Sequence, residues 1–363
     1  MAKPKAKPAR VEYNKILDRN DEKWAHPLVK DCYINSGRKT VEFLANPEAP
    51  LEARIENKQK TYDSLCAAKA ILDQMAPELA AHGTTVEYEI PGCPEEPEIG
   101  TTVVVRTPNN KQGEAYPAIF YCSGGALVFG TPYLCPIEEI CRDHNAVVVA
   151  PFFRSGVDAP YPAAINDLHA GYQWMMENAE KLHIDPDRVV LTGMSSGGHL
   201  ALALAFRLKR YGYRPRGVVA QDPVTDDRQV YPSQRIYCDA WDGSQLGLSA
   251  QQWMGWRDYN SAYMGPESFP NHADAEDCRG LCPVFIHTGE NDPDRDANAA
   301  FVSKLHEVGI FAERHEWGGC CHTTLFSAPH DNELRKRYMT IVNGNIDDCL
   351  NYDMRRSFLE EEE

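Results

Sequence analysis

From about residue 84 the chain alternates short apolar runs with helical stretches, and that alternation limits the fold more than any other feature. The runs are "TTVEYEIPG", "TTVVVRTP", "YPAIFYCSGG", "NAVVVAPFF", "DRVVLTGMS", "RGVVAQDPV" and "CPVFIHTGE". Between them lie "LCPIEEICRDHN", "PAAINDLHAGYQWMMENAEKLH", "LALALAFRLKRYG" and "DANAAFVSKLHEVG", which have helix-forming composition. Strands separated by helices of this length pair in parallel, and the helices then cover both faces of the sheet. "VVVAP" and "AIFYC" are almost wholly apolar, as strands buried on both faces must be. The expected class is therefore α/β, with a mostly parallel central sheet between two helical layers.

Two regions depart from the pattern. Residues 1–83 read as a helical segment, with "LEARIENKQKTYDSLCAAKAILDQMAPELAAHG" rich in helix formers and closed by a glycine. The reading divides the chain into an N-terminal helical cap segment, 1–83, and a catalytic domain, 84–363. Within the latter, about 228–277 holds no β run but many aromatics: Tyr231, Tyr237, Trp241, Trp253, Trp256, Tyr259 and Tyr263. An aromatic insertion at the strand ends reads as a lid over an apolar pocket, and a plain pair of structural helices is the bland alternative. A chain of 363 residues is long enough for this arrangement.

Charge narrows the partners. The formal net charge of −16 opposes binding to nucleic acid or to an anionic membrane surface, both of which need a basic face. No stretch reaches the roughly 18 apolar residues of a membrane span. The opening "MAKPKAKPARVEYNK" has no apolar core of the secretory kind, so a cytoplasmic protein is expected. The 12 cysteines then read as reduced thiols. Cys278 with Cys282, and Cys320-Cys321-His322, lack the paired spacing of a zinc site, so no metal is expected.

The chemistry concentrates in "LTGMSSGGHL". Gly193-x-Ser195-x-Gly197 follows a β run and opens a helix, the setting in which a serine is presented on a tight turn as a nucleophile. Glycines belong at such a turn because side chains would clash there. Ser196 comes next, and its backbone N–H is placed to meet an oxyanion at the helix start. Ser196 as the nucleophile itself would move the motif out of register. An acid is expected at the end of "PVFIHTG", where Glu290, Asp292, Asp294 and Asp296 all stand. His322, in the glycine-bearing loop after "FAERHEW", completes the order serine, acid, histidine. His199 on the elbow helix points away from the serine hydroxyl and reads as structural. So do Asp167 and Arg154, the latter as a polar tie for a loop, and Asp222, although its place at a strand end could also bring it near the site. The run Ser123-Gly124-Gly125-Ala126 ends "AIFYC" and offers backbone N–H groups to a substrate. Cys320 and Cys321 beside His322 read as packing residues, with a redox brake as the sharper alternative.

These motifs together resemble the hormone-sensitive-lipase family of esterases, also called bacterial family IV, over roughly residues 84–350. "YCSGGALVFG" is similar to its HGGG oxyanion loop, and "RSGVDAPYPAAINDLHAGYQWM" to its YRLAPE-x-PFPAALDD stretch. "DPDRVVLTGMSSGGHLALALA" is similar to its G-x-S-AGG elbow, "ENDPDRD" to its DPLRD acid and "CCHTTLF" to its HGF loop. The resemblance implies an α/β-hydrolase fold, catalytic Ser195, Asp292 and His322, and oxyanion donors Gly125, Ala126 and Ser196. Ser123 stands where the family has histidine, Ala126 where it has a third glycine, and Met194 where an acidic residue is common.

The implied reaction is hydrolysis of short-to-medium acyl, or aryl, esters through an acyl-enzyme. A thioesterase, lactonase or amide deacylase with the same triad is the alternative, since the fold does not choose the leaving group. A non-catalytic small-molecule receptor on a hydrolase fold is the alternative of another class. The partner expected is a small ester substrate, with no nucleic acid, no membrane span and no cofactor or metal. The resemblance also allows a homodimer.

Overall fold

The computed structural model describes residues 25–32, 44, 46, 49–110, 115–228, 230–236 and 265–355. Tyr237, Trp241, Trp253, Trp256, Tyr259 and Tyr263 of the expected lid lie outside them, as does the basic N-terminal stretch.

Eight strands form one sheet among the described residues: β1 (Gly83–Ile90), β2 (Thr101–Pro108), β3 (Tyr116–Cys122), β4 (Val147–Pro151), β5 (Ile184–Met194), β6 (Gly217–Gln221), β7 (Val284–Gly289) and β8 (Ala312–Trp317). Their order is β1-β2-β4-β3-β5-β6-β7-β8. β1 and β2 pair antiparallel, as do β2 and β4, and from β4 to β8 every pairing is parallel. The expected α/β-hydrolase architecture is what the chain adopts.

The helices among the described residues are α1 (Leu51–Met75), α2 (Pro77–His82), α3 (Ile137–His144), α4 (Ala163–Glu177), α5 (Ala179–Leu182), α6 (Ser196–Arg210), α7 (Pro232–Ile236), α8 (Ala275–Cys278), α9 (Arg295–Glu307), α10 (Thr324–Ser327) and α11 (Glu333–Asn351). Alternation along each strand divides the core in two. On β3, Ala118, Phe120 and Cys122 join one apolar layer with Leu168 of α4, Leu204 of α6 and Phe301 of α9. Ile119 and Tyr121 join the other, with Ile140 of α3 and Tyr338 and Val342 of α11. Every residue of β4 is buried, which explains its unbroken apolar run.

Strand order places the site. The chain leaves β3 for β4 on one side and returns across it to β5 on the other. At such a switch point the loops after two neighbouring strands diverge and leave a crevice at their C-terminal ends. Cys122 pairs with Gly193 at those ends, so the loop carrying Ser123–Ala126 and the turn carrying Ser195 start side by side.

Candidate active site

Ser195 sits at the turn between β5 and α6 with φ +58° and ψ −126°, a conformation that costs a non-glycine residue free energy. Close packing holds it there. A Cβ on Gly197 would lie 2.2 Å from the Cys122 carbonyl oxygen, and one on Gly193 would lie 2.5 Å from the same atom. α6 can therefore approach β3 only with glycine at these positions. Ser195 N–H donates to the Gln221 carbonyl at 2.7 Å. The Gln221 side chain in turn accepts from Tyr338 Oη of α11 at 2.7 Å.

Three side chains meet in a line. Ser195 Oγ lies 2.8 Å from His322 Nε2, and His322 Nδ1 lies 2.8 Å from Asp292 Oδ2. All three residues are buried, Asp292 completely. The loop after β7 that carries Asp292 is stitched to the loop after β8 that carries His322. Glu290 N–H donates to the Trp317 carbonyl, Asn291 N–H to the Cys320 carbonyl, and Gly319 N–H to Glu290 Oε2 at 2.9 Å. Of the four carboxylates in this stretch, Asp292, the one that the resemblance implied, holds the histidine at hydrogen-bond distance. Glu290 braces the loop as above. Asp296 accepts from Ser233 N–H and pairs with Arg295.

Asp294 is buried close by: one carboxylate oxygen from each of Asp292 and Asp294 and one ring nitrogen of His322 lie within 4.8 Å of one another. Burial first, and then the Asp292 charge, raise its pKa well above the ordinary carboxylate value. Asp222 is the third carboxyl around the histidine. Its Oδ2 accepts from Thr323 N–H at 2.9 Å and its Oδ1 from Gly289 N–H at 3.1 Å. A single side chain thus ties the residue after His322 to the end of β7. Burial and the Asp292 charge push its pKa up to about 7. Burial alone would lower the pKa of His322, but the charge and hydrogen bond of Asp292, with Asp222 and Asp294 behind them, raise it to about 9.

The loop after β3 turns left-handed at three successive residues, Gly125 (φ +108°), Ala126 (φ +53°) and Leu127 (φ +62°). Backbone turned in this way can present adjacent N–H groups to one anion. Ser196 is the first residue of α6, where no preceding carbonyl of the helix is available to its N–H. Gly124 packs against the elbow, since a Cβ there would lie 2.6 Å from the Met194 carbonyl oxygen. Ser123 is buried, and its Oγ has no hydrogen-bond partner among the described residues.

Of the residues read as structural, His199, Arg154 and Asp167 have their side-chain partners outside the triad. His199 is fully buried, its ring edge-on to Phe269 at 4.8 Å. Arg154 binds Asp167 through its backbone N–H and its guanidinium, and reaches Glu96 at 2.6 Å. Cys320 and Cys321 are buried, and the ten cysteines of the described residues whose state is defined are all free thiols. Sequence reasoning undervalued Asp222 and did not single out α11. The apolar residues Leu334, Tyr338, Val342 and Ile346, four apart, are the signal that could have found that helix.

A family model of the alpha/beta hydrolase fold matches residues 119–326, which include Ser195, Asp292 and His322. Carboxylesterase NlhH of Mycobacterium tuberculosis is 30% identical over 251 residues, covering 66% of this chain and 74% of the relative. Ethyl acetate hydrolase of Pseudomonas putida is 28% identical over 228 residues, covering 60% and 69%. Among solved structures, Bacterial Heroin Esterase superposes with a TM-score of 0.74 at 23% identity, covering 91% of this chain and 99% of that one. Esterase LipW from Mycobacterium marinum does so at 0.70 and 20%, covering 91% and 98%. The chain belongs to the alpha/beta hydrolase family. Within that family its sequence relatives are hydrolases of carboxylic esters, and this is the class into which the chain falls. No helix among the described residues is long and apolar enough to cross a membrane.

Proposed function

We propose that the protein is a serine carboxylesterase acting on short-to-medium acyl or aryl esters. The observation that carries the reading is the unbroken contact from Ser195 Oγ through His322 to Asp292. In this reading His322 Nε2 takes the Ser195 proton as Oγ attacks the ester carbonyl. It then gives that proton to the leaving alcohol, and water repeats the cycle on the acyl-enzyme. Asp292 orients the imidazole and stabilises its charged form. The N–H groups of Gly125, Ala126 and Ser196 receive the oxyanion, each contributing roughly 10²–10³ in turnover if typical of such donors.

A cavity of about 480 Å³ beside α1 is lined by Ile55, Tyr62 and Phe129 but also by Lys58, Arg154 and Asp158 and by no triad residue, so substrate size in this reading rests on the aromatic composition of 228–277. In this reading 1–83 acts as a cap and 228–277 as an inserted lid over the catalytic domain.

The test is hydrolysis of p-nitrophenyl acetate, butyrate, octanoate and laurate by the wild type and by Ser195→Ala. Turnover of the short esters is expected, with a loss on the order of 10⁶ in kcat for the variant. Absence of wild-type turnover on all four would overturn the ester reading in favour of thioester, lactone or amide substrates.

A further inference from the structure

Far from Ser195 in sequence, three potential metal ligands converge. Cys93 and Glu95 lie in the turn between β1 and β2, and His169 lies on α4. One ligand atom from each falls within 4.8 Å of the other two. His169 is fully buried, and neither ring nitrogen has a hydrogen-bond partner among the described residues. A buried imidazole left in this state is costly unless something occupies it.

Glu95 is the hub of the group: its carboxylate accepts from the Cys93 thiol and from Tyr211 Oη, and the Tyr211 ring packs against His169 with centroids 4.4 Å apart. His169 Nδ1 faces Glu95 Oε2 at 3.8 Å. That is too long for a hydrogen bond. It is near the ~3.3 Å that separates two ligands held about 2.0–2.1 Å from one tetrahedral zinc ion. The other oxygen of the carboxylate, Oε1, is already taken, by Tyr211 Oη and by Arg207 at 3.3 Å. Outer partners of this kind orient a ligating carboxylate and leave its free oxygen aimed inward. Cys93 is 1% exposed and its thiol hydrogen-bonds the Glu95 carboxylate, so the proton it must lose to ligate a metal lies within the group. Arg207 and Arg210 lie 3.3 and 3.6 Å from Glu95 Oε1 and oppose a cation, and Glu267, which pairs with both, offsets part of their charge.

We propose that Cys93 Sγ, Glu95 Oε2 and His169 Nδ1 bind a zinc ion, with water in the fourth position on the exposed side of Glu95. Thiolate, imidazole and carboxylate together suit zinc better than magnesium or calcium. On binding, the Cys93 S–H bond breaks, its electron pair goes to the metal and its proton to solvent, with no change of oxidation state. The ion clamps the β1–β2 turn onto α4. That turn is already docked there by Glu96, which accepts from Asn166 Nδ2 at 2.9 Å. Chain spacing gave no hint of this site, because its ligands come from two separate stretches.

The test uses the full chain stripped with EDTA and titrated with Co²⁺. Saturation near one equivalent is expected, with a thiolate-to-cobalt charge-transfer band that zinc displaces. Cys93→Ser should lose the band, and His169→Gln should weaken binding. EDTA should lower the Tm of the metal-loaded wild type and leave that of Cys93→Ser unchanged. Absence of the band in the wild type, or its persistence in Cys93→Ser, overturns the proposal. Should a variant fail to fold, X-ray absorption of the zinc-loaded wild type decides. One sulfur among lighter ligands supports the site, and a shell of sulfur alone or of none overturns it. None of these readouts requires esterase turnover.

Discussion

In the proposed reaction His322 is the general base, and the carboxyl groups of Asp292, Asp222 and Asp294 surround it. A general base works in its unprotonated form, so kcat/KM should be low while the imidazole holds its proton and should rise as pH passes through its folded pKa. With that pKa raised to about 9, the ascending limb should fall on the alkaline side of neutrality. A pH–rate profile on p-nitrophenyl acetate, corrected for background hydrolysis, reads it directly. Asp222→Asn tests the source of the shift. Its positive φ of +44° is one that asparagine tolerates, and the amide keeps one oxygen to accept an N–H. The limb should move to lower pH because a charge facing the imidazole is gone. Turnover should fall by about tenfold as one loop tie is lost, if that tie is worth ~1.5 kcal/mol. An unmoved limb would mean that Asp222 braces the loops without influencing the base.

At the scale of elements, the site depends on two contacts that hold α6 and α11 to the sheet. α6 reaches β3 because Gly197 leaves no side chain against the Cys122 carbonyl. Gly197→Ala should force the helix away. It should cost about 1–3 kcal/mol by overpacking and weaken turnover, since Ser195 and Ser196 move with the helix. Urea unfolding with parallel kinetics separates the two effects. α11 acts from behind, through Tyr338 on Gln221, whose carbonyl holds Ser195 N–H. Tyr338→Phe keeps the ring in its apolar layer and removes only the hydroxyl. It should cost about 1 kcal/mol of stability with a small loss of kcat; unchanged stability would mean that water replaces the lost bond. The alternation of the sequence made β3 to β7 and their helices legible. It stops short of α11 because a C-terminal helix with a single apolar stripe is not part of any strand–helix repeat.

Over the whole molecule, the titration of the buried site should set how stability depends on pH. His322 has a folded pKa above its ordinary value of 6.5, so its contribution is complete below 6.5 and is lost as pH rises through about 9. Asp222 is an acid whose folded pKa is raised from 3.8 to about 7, so the folded state holds its proton more tightly and stability again falls as pH rises between those values. Both act in the same direction, and self-repulsion of a chain with net charge −16 adds to them. The Tm should therefore be higher near pH 6 than near pH 9. His322→Gln should flatten the upper part of that slope, and added salt should relieve only the part due to surface charge. A Tm that rises from pH 6 to 9 would show that other groups dominate.

Local chemistry and order are what the sequence determined by itself. Apolar runs of strand length separated by helices permit little besides a covered parallel sheet, and a glycine-flanked serine after a strand is readable because the turn tolerates few other residues. The order serine, acid, histidine pointed to Ser195 and His322 and left four carboxylates within seven residues, from Glu290 to Asp296, among which the family resemblance chose Asp292. The physical reason that this one meets the imidazole lies in the fold, because a loop's path is set by the strands and loops it is stitched to. The partners of Asp222 and Tyr338, and the convergence of Cys93, Glu95 and His169, were likewise beyond reach of the sequence. Each acts across a long stretch of chain, and side chains far apart in sequence become neighbours only when the sheet brings their elements together.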